Sequence, residues 1–113
     1  MRRLMLPMLL IAGCSKGPDA DLQYIKQARS LAAEWALVND QAAQGKLTPV
    51  YVHSMHRWLR QQLQTSSTSL TQPHSAYGAE IEALLHTADD AAPDELRAHS
   101  DKLKQIEDSL ESA

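Results

Sequence analysis

Apolar residues in this chain recur at alternating spacings of four and three. Tyr24, Ala28, Leu31, Trp35, Val38 and Ala42 form the longest such series, and three further segments carry shorter ones. That period lays one stripe along an α-helix and leaves the opposite face polar. No segment alternates with period two for long enough to make a half-buried strand. The chain is therefore expected to be all-α.

Local signals place the helices. The first is expected over 21–44, capped by Asp19 and stopped by Gly45, with Ile25 and Ala32 widening its seam. Thr48 followed by Pro49 opens the second, whose expected seam is Val52, Met55, Leu59, Leu63, Ser66 and Leu70. Thr65 to Thr68 is poor in helix formers, and fraying is expected there. Pro73 and Ser75 introduce a short third helix with Tyr77, Ile81, Leu84 and Ala88 on its seam. Gly78 within it costs about 1 kcal/mol relative to Ala. The fourth starts at Pro93, has Asp94 and Glu95 in its first turn, and carries Leu96, His99, Leu103, Ile106 and Leu110 nearly to the C-terminus. Four amphipathic segments with short connections predict a small antiparallel up-down-up-down helical bundle over residues 20–113.

The first sixteen residues differ in kind. Arg2 and Arg3 precede the uncharged run from Leu4 to Ala12, and Gly13 and Cys14 close it. A positive head, an apolar run and small residues describe a signal peptide, and the run is too short for a spanning helix. Ile11-Ala12-Gly13-Cys14 resembles the lipobox of bacterial lipoproteins. The resemblance covers targeting alone. It implies cleavage after residue 13, acylation of Cys14, and a lipidated tether over 14–19. Ser15 after the cysteine, by the same resemblance, implies the outer membrane and a periplasm-facing domain. Two or three acyl chains hold where one does not. Cys14 is the single cysteine, which excludes an intramolecular disulfide.

Loss of residues 1–13 leaves one hundred residues, enough for one domain. It also removes Arg2 and Arg3 from the 11 bases, against 14 acids, for a mature charge near −5. An acidic domain is poorly suited to nucleic acid. With no Phe and much Ala the core is thin, which points to a protein partner or self-association.

Candidate functional residues fall into three groups. Trp58 stands one step off its seam beside Leu59, with Arg57 and Arg60 next to it and Tyr51 two turns earlier. Exposed aromatics among arginines are the composition of a protein-binding hot spot. Trp35, on its seam, belongs to the core. His53, His56, His86 and His99 fall toward one end of the expected bundle, and imidazoles suit Zn, Cu or Ni. Met55 and His99 each lie six residues after a helix-starting proline, the height match a haem with thioether and imidazole ligands needs. A Cys-x-x-Cys-His motif for haem attachment is absent. There is no nucleophile elbow and no glycine-rich phosphate loop, so no enzyme is expected. The leading expectation is a lipid-anchored envelope component that binds through a helix face and needs no cofactor. A periplasmic metal- or haem-binding bundle is the second.

Overall fold

A computed structural model describes residues 18–112. Cys14, the expected cleaved segment 1–13 and most of the tether lie outside the described residues. The described chain is four α-helices: α1 Pro18–Ala43, α2 Pro49–Ser69, α3 Ala76–Leu85 and α4 Pro93–Ser112. Each packs on its neighbour in sequence, and α4 closes the ring by packing along α1. No Cα atom of α2 comes within 8 Å of one in α4, so the two stand on a diagonal across the core. The side-chain bonds give the directions. Asp21 at the start of α1 meets Thr71 and Gln72 beyond the end of α2, and Asn39 near the end of α1 meets His56 early in α2. Arg29 of α1 reaches Glu107 of α4, whereas Asp40 lies near Arg97. The bundle is up-down-up-down, as the periodicity predicts. Among the described residues, no helix is long and apolar enough to cross a membrane.

Helix ends follow local chemistry. Gly45 has φ 72°; its N–H meets the Ala42 carbonyl at 3.0 Å, and Lys46 N–H meets Gln41 at 3.0 Å. That pair of bonds closes a helix through a left-handed residue, which glycine adopts without a Cβ clash. The Thr48 hydroxyl accepts from Tyr51 N–H at 3.2 Å ahead of Pro49. Ser75 caps α3 in the same way through Gly78 N–H.

Three boundaries differ from expectation. α1 begins at Pro18, so Asp19 sits in its first turn instead of capping it. Proline and an acid both suit that turn. α2 does not fray at Thr65–Thr68 but continues to Ser69. There Thr65, Thr68 and Ser69 return their hydroxyls to the carbonyls of Gln61, Gln64 and Thr65 four residues back. α3 ends at Leu85, which leaves Ala88 exposed in the following loop.

Trp35 is the largest fully buried side chain, and Ile25, Leu59, Leu63, Ile81, Leu84, Leu96 and Leu103 surround it in one cluster. Ala28, Ala32 and Ala36 place small residues four apart on α1, and α4 lies close enough for the Ser100 hydroxyl to donate to the Arg29 carbonyl at 3.1 Å. Ion pairs step along the same interface: Lys26 with Glu111 at 2.9 Å and Arg29 with Glu107 at 2.7 Å. The α2 seam departs by one residue from expectation. His56, not Met55, is buried between Val52 and Leu59.

Asp21 ties the end of the bundle where α1 begins. It is fully buried and accepts from Thr71 N–H (2.8 Å), Gln72 N–H (3.1 Å) and Tyr77 Oη (2.6 Å). Burial alone would raise its pKa. The bonds from Tyr77, Thr71 and Gln72 outweigh burial and hold it below the usual carboxylate value. Burial, together with this bond to Asp21, pushes the Tyr77 phenol up to about 12.

Two substitutions test the packing. A Cβ on Gly78 would stand 2.2 Å from the Pro73 carbonyl oxygen, a backbone atom that cannot swing aside. Gly78→Ala is expected to destabilise by about 2–3 kcal/mol in urea unfolding, despite the better helix propensity of alanine. The Ser66 hydroxyl is buried without a partner. Ser66→Ala is expected to stabilise by about 1 kcal/mol and raise the thermal midpoint by about 4–8 °C; a lowered midpoint would refute this account of Ser66.

Candidate functional site

Two adjoining stripes run along α2. The inner one, His56, Leu59, Leu63, Ser66 and Leu70, is buried. The outer one, Tyr51, Met55, Trp58, Gln62 and Thr65, keeps the same four-three spacing and stays at the surface. Tyr51 is 49% exposed and Trp58 43%, and Val50 before them is 77% exposed. Of the four large exposed hydrophobics among the described residues, only Leu37 lies on another helix. α2 contains no Asp or Glu, although the chain has 14 acids. Tyr51 and Trp58, seven residues apart, therefore share the outer side of α2, whereas Arg57 is exposed on the neighbouring side of the helix and donates from Nη2 to His53 Nε2 at 3.3 Å.

Arg60 does not join them. It turns toward the α3–α4 loop, donating from Nη1 to the Leu85 carbonyl at 2.8 Å and from Nη2 to the Thr87 carbonyl. Its Nε pairs with Asp89 Oδ1 at 2.5 Å, and its guanidinium carbon lies 4.9 Å from the centre of the Trp35 ring. A planar, five-donor cation suits this combination of carbonyls, a carboxylate and an indole face. Trp35 Nε1 and Asn39 Nδ2 both donate to the Asp89 carbonyl at 2.9 Å, and Asn39 Nδ2 also reaches Ala91 at 2.8 Å. Sequence reasoning missed this clamp because its partners lie 25 to 54 residues apart.

The four histidines are not brought together. His56 is buried and bonds Asn39 Oδ1 through Nε2 at 2.7 Å. His99 bonds the Glu80 carboxylate through Nδ1, with Lys102 Nζ 3.8 Å from the other Glu80 oxygen. His86 caps α3 and donates from Nδ1 to the Glu82 carbonyl at 2.9 Å. His53 stands exposed at Arg57. Each ring is occupied by a different neighbour, so His53, His56, His86 and His99 form no common ligand set. The one carboxylate group close enough to share an ion, among the described residues, is Glu107, Asp108 and Glu111. Arg29, Lys104 and Lys26 pair with these three in turn.

Met55 and His99 do not face one another as haem ligands would. Their helices stand on a diagonal, and Leu59, Leu63, Leu84, Leu96 and Leu103 fill the core between them. Met55 lies in the outer stripe of α2, and His99 is spent on Glu80 of α3.

Burial pushes the His56 pKa below its ordinary value; Asp89 opposes this and Arg60 adds to it. Between that lowered pKa and the ordinary value near 6.5, the unfolded chain binds a proton that the folded chain does not. Stability from neutral His56 is thus complete above about pH 6.5 and declines as pH falls below it. Urea midpoints measured from pH 7.5 to pH 5 are expected to fall for the parent chain and to fall less for His56→Gln. Equal slopes would show that His56 titrates normally. Comparison of the whole chain with family models, curated proteins and solved structures finds no match.

Proposed function

We propose that this chain is a lipid-anchored component of a bacterial envelope that recruits a protein partner through the outer face of α2. The observation that carries the reading is the surface pairing of Tyr51 and Trp58, seven residues apart on a helix without acids. Large, rigid aromatics supply contact area at low entropic cost, and arginine beside them adds directed hydrogen bonds. Arg57, the residue before Trp58, is the arginine of α2 left exposed for such a bond, since Arg60 is committed to the loop. The resemblance of residues 11–14 to a lipobox supports the anchor, with Cys14 as the acylated residue, and Ser15 supports the outer membrane and a periplasm-facing domain.

The geometry of the fold adds a direction to this reading. Cys14 precedes Pro18 by four residues, a reach of about 14 Å when extended. The start of α1 then lies near the membrane. α1 has 26 residues, about 39 Å of helix, and Tyr51 lies just beyond the turn that follows it. In this reading Tyr51 stands at the end of the bundle opposite the anchor, where another envelope protein can reach it.

Mass spectrometry of the protein extracted from membranes is expected to show loss of residues 1–13 and acyl chains on Cys14. A photocrosslinker at Gln61, exposed beside Trp58, is expected to trap a discrete protein adduct. Tyr51→Ala with Trp58→Ala should weaken that partner's binding by about 2 kcal/mol or more, roughly thirtyfold, with an unchanged thermal midpoint. An intact leader with unmodified Cys14 would overturn the anchor. An adduct unaffected by the double substitution would overturn the binding face.

A further inference from the structure

His56 is bonded on one side only. Asn39 gives its amide hydrogens to the carbonyls of Asp89 and Ala91, so the Oδ1 that faces His56 can only accept. The ring proton therefore sits on Nε2, and Nδ1 of the neutral ring is an acceptor. No group of the described chain bonds Nδ1. It is not sealed from solvent either, since Ser66 Oγ is the one sealed and unpartnered side-chain polar atom among the described residues.

His56 is 8% exposed and forms part of the wall of a cleft of about 330 Å³. The cleft lies between the last turns of α1, the start of α2 and the α3–α4 loop. Ala42, Val52, Ala91 and Pro93 make most of its surface hydrocarbon. Asp90 also lines it. Asp89 is paired with Arg60, but Asp90 has no cation or hydrogen-bond donor from the described chain. The positive end of α4, which starts here at Pro93, is offset by Asp94 and Glu95 in its first turn. The cleft thus combines hydrocarbon walls, a neutral acceptor and an unneutralised carboxylate.

We propose that this cleft binds a small primary ammonium carried on an apolar body. The apolar body displaces water from the alanine, valine and proline walls, and the ammonium donates to His56 Nδ1 beside Asp90. A few placed polar groups in an apolar recess are the usual make-up of a small-molecule site. An anionic ligand of the same shape meets Asp90 as a like charge. The site is separate from the outer face of α2 and does not depend on the partner reading. The charged and titratable groups around His56 are Asp89 and Asp90 on the loop and Arg60 and His53 on α2. Protonation of Nδ1 converts the acceptor into a donor and adds a like charge, so binding weakens as His56 takes up its proton.

Benzylammonium, benzyl alcohol and benzoate distinguish the contributions. The detergent-solubilised full chain with Trp58→Phe keeps Trp35 as its sole tryptophan, with its ring centroid 6.3 Å from that of His56. Trp35 fluorescence and the methyl signals of Ala42, Val52 and Ala91 are followed together. Saturable binding of benzylammonium in the millimolar range is expected, about tenfold tighter than benzoate. Asp90→Asn should reduce the preference for ammonium over alcohol about fivefold, and acidification below pH 6.5 should weaken ammonium binding. Ala42→Leu, which fills the cleft, should abolish it; Asp90→Asn, at an exposed site, supplies the reading if the leucine variant fails to fold. Absence of saturation by benzylammonium, or equal binding of benzoate, overturns the proposal. So do methyl shifts that follow protein concentration alone, which would mean that a second copy fills the cleft.

Discussion

The carbonyls of the loop between α3 and α4 must find hydrogen-bond donors, and much of the structure at that end exists to supply them. α3 has ten residues beside the 26 of α1, so the ring of helices is incomplete along the second half of α1. The chain from residue 86 to 92 lies there instead. A helix satisfies its own backbone, whereas a loop packed against a core does not, and each buried polar group left alone costs about 1–3 kcal/mol. Trp35, Asn39 and Arg60 give five hydrogen bonds to four carbonyls of this corner. The same three side chains do the packing: the indole fills the core, the guanidinium covers its face, and the amide fixes His56.

This arrangement explains which parts of the molecule could be read from the sequence. Seams, caps and stops are local, so the four helices, the Gly45 stop and the Thr48–Pro49 start follow from short-range chemistry. The choice between Met55 and His56 on α2 is not local. Both spacings continue a helical stripe from Val52, and hydrophobicity favours methionine; His56 is inside because Asn39, 17 residues away, meets its ring. Arg60 reads as an exposed residue for the same reason, since its carbonyl partners lie 25 and 27 residues on. The off-seam position of Tyr51 and Trp58 was legible, because an aromatic one step from a complete apolar stripe has no core left to enter. By helix propensity alone Gly78 reads as a weakness of α3. Only the folded path of Pro73 over that turn shows that a side chain has no room there.

Charge is distributed by helix. α4 carries the acids Asp94, Glu95, Asp101, Glu107, Asp108 and Glu111, and Lys26 and Arg29 of α1 meet two of them. α2 carries none. On its exposed side it offers rings, amides and hydroxyls, with Arg57 as its exposed cation. The bundle therefore has an acidic flank that keeps it hydrated and a nearly uncharged flank that does not repel an approaching surface. Uneven charge of this kind biases the orientation of encounter before any contact forms.

The position of Asp21 has a mechanical consequence. Load applied through residues 1–17 enters the fold at Pro18 and reaches Asp21 within the first turn. Thr71, Gln72 and Tyr77 hold that carboxylate from a different part of the chain. α2 and α4 flank α1 along its length, so a pull along its axis is a shear that strains many contacts together. Peeling would instead break them one after another. A fold loaded through its first helix therefore resists a pull along that helix better than a pull across it.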